Sequence, residues 1–454
     1  MEPLHGIRSR RYRMFLLIML LALLNYVERG AISYAGSKII GEYGFDRAQW
    51  GKLLGYFGYG YLLGALFGGI MSDWFGPKRV WLASGGAWSL LAIATAYGGD
   101  LGVAVFGGAA LTGFAVVRVL FGFAEGPAYS LINKSNSNWS TPKERGFVVS
   151  MGLVSTPLGS LLTAPIAVGL LSLTGSWRAM FIVIGTVSLA ALLYFSRRFT
   201  DKPEQGTFLT HEESAYIKAE REAANAQSDA SNPTSRPPWW SFFQNPSLVL
   251  NAVGYFAMNY VTFLLLTWMP KYLQDEFHYS LSSLWYVAMI PWIGPCITVL
   301  LGGRLSDWLL RRTGSHRIAR SYLAATCLLI TTLCFLLISK THAVWQILLL
   351  IALANAFNAM ANCVYWAVVI DSSPSSRTGT FSGITHSIAN LAAIIAPTLT
   401  GVLTQQHGYD AMFIAAAVAT AVGMTAMVLV KPGLRFRRST GRLKNTPSAD
   451  IERG

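Results

Sequence analysis

Twelve runs of about 20 predominantly apolar residues, set apart by short polar segments, restrict this 454-residue chain more than any other feature. In hydrocarbon such a run must satisfy its own backbone hydrogen bonds, which a helix does, so the chain reads as an all-α polytopic membrane protein. The runs begin near residues 14, 50, 80, 109, 145 and 177, and again near 248, 281, 320, 344, 376 and 410. Several contain Gly or Pro, which a helical bundle tolerates where neighbouring helices or cavity water satisfy the freed backbone groups. Only 13% of the residues are charged, against about 25% in an ordinary soluble domain. The first run is of spanning length and no small-residue cleavage site clearly closes it, so it is expected to stay in the mature chain.

The runs fall into two sets of six. Residues 1–13 form an N-terminal segment, 14–197 a first six-helix half, 198–247 a linker, 248–431 a second six-helix half and 432–454 a tail. Within the linker, 210–224 is charged and helix-like and 227–238 is polar; no chemistry is assigned to it. The halves repeat each other. Gly68-Gly69-Ile70-Met71-Ser72-Asp73-Trp74 returns as Gly302-Gly303-Arg304-Leu305-Ser306-Asp307-Trp308, at equivalent places after the second and eighth runs. That recurrence points to duplicated architecture.

The formal charge of +14 suggests nucleic acid in a soluble protein, but here Lys and Arg gather in loops on one side, where they set membrane orientation. The N-terminus, Lys78 and Arg79, Lys143 and Arg145, the linker, Arg311, Arg312, Arg317 and Arg320, Arg377, and Arg435, Arg437 and Arg438 make up that side. Both termini are therefore expected in the cytoplasm, and no nucleic-acid partner is read from the charge. Cys296, Cys327, Cys334 and Cys363 lie in apolar runs without CxxC or Cys/His spacing, so neither a disulfide framework, a metal site nor a cofactor is expected. There is no phosphate loop, nucleophile elbow or HExxH, which argues against an ATP-driven pump and against an enzyme.

The charges inside the runs demand a reason, because one near the bilayer centre costs about 2.5–3.5 kcal/mol on insertion scales. Asn25-Tyr26-Val27-Glu28-Arg29-Gly30 places an acid and a base in the first run. Either the pair marks a polar substrate and proton route, or it snorkels to the interface and fixes packing. Arg118 and Glu125, two helical turns apart in the fourth run, share a face, and Gly126-Pro127 follows at once. Those breakers should open the helix beside Glu125 to water or to another backbone. Glu125 and Glu28 are candidates for proton transfer; the competing reading is a structural ion pair of Glu125 with Arg29 or Arg118. Arg29 is the first choice to hold a carboxylate in its planar fork, whereas Arg118 either joins the site or holds its own helix. Tyr26, Tyr61, Asn133, Asn358, Asn362, Tyr365, Trp366, His386 and Asn390 are further candidates for contact with a hydroxyl-rich ligand, each with packing as its alternative.

With these residues in hand the chain resembles the major facilitator superfamily, and within it the anion:cation symporter group of galactonate, hexuronate and glucarate transporters, sialin and vesicular glutamate transporters. The stretch Gly69 to Arg79, with Asp73, Gly76 and Lys78, is similar to the superfamily loop signature GxxxDxxGxxR, where the acid holds the two halves together; Asp307 stands in its second copy. More specific are Asn25, Tyr26, Glu28 and Arg29, then Arg118-xxx-Gly122-xx-Glu125-Gly126-Pro127, Lys143-Glu144-Arg145-Gly146, and Leu266-Thr267-Trp268-Met269-Pro270-Lys271-Tyr272-Leu273. The resemblance implies twelve helices in two halves, carboxylate binding by Arg29, and coupling protons on Glu28 and Glu125, with Arg118 grouped beside them. Departures fall at Glu28, where the group commonly carries aspartate, and at Thr156, Thr262 and His386, where it carries glutamine, tryptophan and asparagine.

The implied function is proton-coupled symport, by alternating access, of a small organic anion of the sugar-acid class, such as a hexuronate, aldonate or aldarate. The expected setting is the cell inner membrane, with the anion, protons and the lipid bilayer as partners and the chain as a monomer. An exchanger or uniporter for an aromatic or tartrate-like acid, and a transport-dead nutrient sensor, are the alternative readings. If Arg29 is the carboxylate clamp, Arg29→Lys abolishes binding of the transported anion while the protein still folds, because lysine keeps the charge and loses the fork. Calorimetric titration of the purified variant checks this, and wild-type affinity in Arg29→Lys removes the clamp.

Overall fold

A computed structural model describes residues 10–141, 144–205, 209–229, 238–341, 343–374 and 377–433. Arg8, Lys143 and the basic residues Arg435, Arg437 and Arg438 lie outside them. Among the described residues every regular element is a helix, and the helices make twelve spans. Arg10–Tyr43, Arg47–Phe75, Arg145–Thr174, Trp177–Arg198, Pro246–Phe277 and Tyr409–Leu429 run unbroken as the first, second, fifth, sixth, seventh and twelfth. The ninth opens on the π-helical turn Arg317–Tyr322 and continues as Leu323–Ile338.

The other five are interrupted: Pro77–Thr95 with Gly98–Val105, Ala110–Glu125 with Ala128–Trp139, Leu281–Val287 with Ile290–Thr313, Val344–Met360 with Asn362–Ser372, and Thr378–Asn390 with Ala392–His407. Ten spans are long and apolar enough to cross a membrane, and the third, bent by 74°, makes an eleventh. The second, Arg47–Phe75, is of spanning length but rich in glycine. Six crossings per half bring residue 10, the linker and residue 433 to one end of the bundle, called basal here; the other end is distal.

The outer surface explains why these sequences stay in lipid. Leu, Ile and Val side chains such as Leu63, Leu120, Leu333 and Val418 stand exposed on outward faces, where acyl chains solvate them. Aromatic rings collect at the two ends: Trp74, Trp239, Trp240 and Trp308 toward the basal side, Tyr97, Trp285, Tyr286 and Trp345 toward the distal side. Rings with one apolar and one wet edge prefer those levels. Trp74 and Trp308 close the two copies of the repeated heptapeptide.

The repeat also has a packing reason. A Cβ on Gly68 would stand 2.5 Å from Cα of Pro127, and one on Gly302 would collide with the carbonyl of Met360. Each copy thus lets its span press against the interruption in the span two further on, at 126–127 in one half and at 361 in the other. At Glu125 the space opened by Gly126-Pro127 is filled by backbone, since Gly126 abuts Gly64 and Ala65 of the second span. The bend in the third span, which the hydropathy pattern does not reveal, is anchored from outside: Asp100 accepts hydrogen bonds from Tyr43 at 2.8 Å and from Arg178 at 3.1 Å.

At the distal end the halves are sealed to each other. Arg47 of the second span donates to the carbonyl of Thr404 at 3.1 Å and approaches Asp275 at 3.4 Å, while Tyr409 donates to Asp275 at 2.7 Å. Ser37 bonds Gln274 across the same seam, and the Ala48 amide donates to Gln405 at 2.8 Å. Below them the second and eleventh spans touch backbone to backbone: a Cβ on Gly51 would lie 2.6 Å from the Pro397 carbonyl and 2.8 Å from Cα of Gly401.

Contacts at the basal end have a different character. Asp73 pairs with Lys134 at 2.7 Å and Asp307 with Arg320 at 3.2 Å, each within its own half, so the described contacts of Asp73 do not join the halves as the loop signature implies. The reason is conformational, because the seam that is closed in this structure is the distal one. Gly76 turns the chain with Asp201 accepting from the Lys78 amide at 2.6 Å, and Arg79 is exposed. The linker helix His211–Asp229 is pinned to the first half through Arg11, which bonds Glu144 at 2.6 Å and lies 3.8 Å from Glu213.

Gly51→Leu should wedge the distal seam, since a branched side chain cannot fit where two backbones touch. Spin labels on Lys52→Cys and Gln406→Cys should show a longer, broader distance distribution in the Gly51→Leu background than without it. An unchanged distribution means that this packing does not hold the seam.

Candidate functional site

A cavity lies between the halves at mid-depth, walled by the first, second, fourth and fifth spans on one side and the seventh, eighth, tenth and eleventh on the other. Of the residues proposed from sequence, Tyr26, Arg29, Tyr61, Asn362, Trp366, His386 and Asn390 line it, as do Thr156 and Thr262. Others are placed elsewhere. Asn133 lines a second hollow nearer the basal end. Tyr365 is fully buried behind the wall, stacked on Tyr255 at 5.2 Å, and Asn358 spends its amide on the Met258 carbonyl at 3.0 Å.

The structure adds Tyr129, Ser160, Tyr255, Asn259, Trp292 and Asn355 to the wall. A signal for two of these exists: Tyr255, Asn259 and Thr262 recur at helical spacing on one face of a span that otherwise reads as neutral.

Among the described residues the buried charges of the spans, Arg11 at the basal end and Glu28, Arg29, Arg118 and Glu125 deeper in, all belong to the first half. Arg29 donates through Nε to Oε2 of Glu125 at 2.9 Å, its Nη2 stands 2.9 Å from the same oxygen as an ion pair, and Nη2 donates to Oδ1 of Asn25 at 3.4 Å. Glu125 is 0% exposed and its other oxygen, Oε1, has no hydrogen-bond partner. The guanidinium of Arg29 is caged by the rings of Tyr26, Phe57 and Tyr61 at 4.8, 4.9 and 4.6 Å. Such rings give a desolvated cation a partial replacement for water.

The structural-ion-pair reading and the carboxylate-clamp reading thus meet in one place: the arginine on the cavity wall is held by the acid four residues before Tyr129. Arg118 stays off the cavity. Its guanidinium rests on Phe57 at 5.1 Å and Phe121 at 5.2 Å, so Phe57 lies between two cations.

Glu28 is separated from this pair although it adjoins Arg29 in sequence. One residue along a helix turns a side chain by about 100°, which aims Glu28 away from the cavity toward Ser188 of the sixth span. It is 1% exposed, and neither carboxyl oxygen has a hydrogen bond of good geometry. Leaving a buried polar group unsatisfied costs about 1–3 kcal/mol, so Glu28 is held there against stability. Glu28→Gln should raise the thermal midpoint of the detergent-solubilised protein by a few degrees, since an amide carries no charge to bury. A fall in midpoint would mean that Glu28 has a compensating partner.

The second half contributes neutral polarity. Both ring nitrogens of His386, Nε1 of Trp366, Nδ2 of Asn259 and Oδ1 of Asn362 are buried without hydrogen-bond partners, all on the cavity wall opposite Arg29. Buried polar atoms are ordinarily satisfied, and several orphans on one wall mark a surface built to meet polar groups. One side of the cavity therefore offers an arginine with its counter-ion, and the other an array of donors and acceptors.

Sequence and structure comparisons agree with this architecture. The model of the Major Facilitator Superfamily matches residues 18–397 and, in a second match, 312–451. The hexuronate transporter of Bacillus subtilis (strain 168) is 29% identical over 423 residues, 92% of this chain and 94% of that protein. A probable sulfoacetate transporter of Cupriavidus necator is 28% identical, over 94% of this chain and 95% of its own length. The probable galactarate/D-glucarate transporter GudP of Escherichia coli (strain K12) is 27% identical over 88% of each chain. Among solved structures, a D-xylose-proton symporter superposes with a TM-score of 0.69 at 15% identity, covering 94% of this chain and 99% of that one. Twelve helices in two repeated halves, a polar cavity between them and a family match over most of its length establish that this chain belongs to the Major Facilitator Superfamily and is a membrane transporter, not an enzyme.

Proposed function

We propose that the protein is a proton-coupled symporter that takes up a small organic anion of the sugar-acid class into the cytoplasm. The observation that carries this reading is the ion pair of Arg29 with Glu125 on the wall of the central cavity. A ligand carboxylate presents the same two-oxygen acceptor as Glu125 and competes with it for the guanidinium. Once displaced, Glu125 is a buried carboxylate without a counter-ion. That arrangement costs several kcal/mol unless the group takes up a proton.

The ligand and one proton then occupy the site together, with Arg29 paired to the ligand and Glu125 neutral. When the ligand leaves toward the basal side the proton follows, and Arg29 and Glu125 pair again. For a monoanion this step moves no net charge. A second proton on Glu28 would make the cycle electrogenic.

Arg29 is the one Lys or Arg among the described residues that line the cavity. A single permanent cation suits a ligand with one anionic group and a hydroxylated remainder, which favours a hexuronate or aldonate over an aldarate dianion. Trp366, His386, Asn259, Asn362 and Asn390 would meet that remainder, with Thr156 and Thr262 beside them. The relatives, a hexuronate transporter and a probable galactarate/D-glucarate transporter, support the same class. The basic loops, which gather at the basal end with the linker, support cytoplasmic termini in a cell inner membrane.

The test uses liposomes, with the transported acid first chosen by thermal-shift screening of uronates, aldonates, aldarates and aromatic acids. Glu125→Gln should stop accumulation driven by a pH gradient and still permit counterflow without one, because exchange needs no release of the proton. Accumulation at the wild-type level would sink the coupling role. Loss of both activities would return Glu125 to a purely structural pair with Arg29.

A further inference from the structure

Tyr129 stands on the boundary between two hollows. It lines the central cavity and, with Leu153 and Trp366, also lines the hollow nearer the basal end that reaches Asn133, Cys363 and Ile370. What separates the two spaces is therefore one layer of side chains, Tyr129 and Leu153 from the first half against Trp366 and His386 from the second. The rings lie nearly face to face across the divide: Tyr129 is 5.6 Å from Trp366 at an interplanar angle of 19°, and 5.3 Å from His386 at 20°. Tyr255 backs them, edge-on to Trp366 at 5.8 Å.

We infer that Tyr129 is a shutter between the central cavity and the basal side, closed by stacking on Trp366 and His386 and opened by withdrawal of its ring. Three features support this role over that of a core residue. The contact joins the two halves, which must part at this level if the cavity is to open basally while the distal seam stays shut. It consists of stacked rings, so it breaks without stranding a charge, in contrast to Arg47 and Asp275 at the distal seam.

Tyr129 also sits directly after the interruption at Gly126-Pro127, four residues beyond Glu125. A shift of Glu125 on losing Arg29 is therefore delivered to the short helix Ala128–Trp139 that carries the ring. The shutter and the anion site occupy two sides of one helix break. This inference needs neither a particular ligand nor proton coupling.

The experiment places a thiol above the shutter and asks how quickly a reagent reaches it from below. Ser160 lines the central cavity and not the basal hollow, so Ser160→Cys is introduced after Cys296, Cys327, Cys334 and Cys363 are replaced by alanine. Vesicles with the termini facing outward are treated with a membrane-impermeant maleimide, without any transported acid. Tyr129→Ala should raise the labelling rate about tenfold, the shift in open population expected from losing two ring contacts. Tyr129→Phe, which keeps the stack, should label at the rate of the unchanged shutter.

Should Tyr129→Ala fail to fold, Trp366→Ala removes the partner ring from the other half and should give the same rise. Equal labelling rates with and without the ring overturn the inference, as does a rise in Tyr129→Phe equal to that in Tyr129→Ala. Because no ligand or gradient is present, these outcomes leave the symport reading to its own test.

Discussion

A single ion pair inside the bilayer sets the terms for everything around it. Arg29 and Glu125 come from different spans, 96 residues apart in sequence, and each would be costly without the other. Keeping them together requires that the first, second and fourth spans approach closely, which the glycines and aromatic rings between them allow. Gly122 and Gly126 let the second span's backbone lie against the fourth, and Phe57 and Tyr61 project from that span onto the guanidinium. Both members of the pair are buried, and its arginine faces the central cavity.

The chain's covalent duplication is visible in how the helices break. Both copies of the heptapeptide use a glycine to press against an interrupted span, and both interruptions lie at the level of the cavity. Helices with a free end at mid-membrane can move their lower part while the upper part stays packed. In this structure the upper parts are locked together by Arg47, Asp275, Gln405 and the Gly51–Gly401 contact, so motion is available below the break.

Residues with charge were legible in the sequence because charge inside a span has few explanations. Glu28, Arg29, Arg118 and Glu125 stood out at once, and the structure places all four in the buried midsection of the first half. Span starts near 177 and 344 likewise coincide with Trp177 and Val344, since a change from polar loop to apolar run is abrupt there. The neutral wall was not legible. Tyr129, Tyr255 and Asn259 differ from dozens of packing residues only in what lies opposite, and Tyr365, beside Trp366 in sequence, faces the other way. The bend after Thr95 leaves no trace in the sequence for a related reason, because its anchor, Arg178, comes from another span. What pattern cannot supply is which face of a helix meets a gap.

Among the described residues the second half carries no buried charged side chain in its spans, although it repeats the architecture of the half that carries five. The duplicated copies have in this sense divided their labour by electrostatic load. Neutral donors and acceptors can be exchanged for one another at a cost of about 1 kcal/mol each, whereas a buried arginine cannot be moved without stranding its partner. The neutral polar lining contributed by one half is free to drift over evolutionary time while the buried ion pair in the other half is inherited intact. A protein divided this way can reshape one face of its cavity without disturbing the charges that anchor the other.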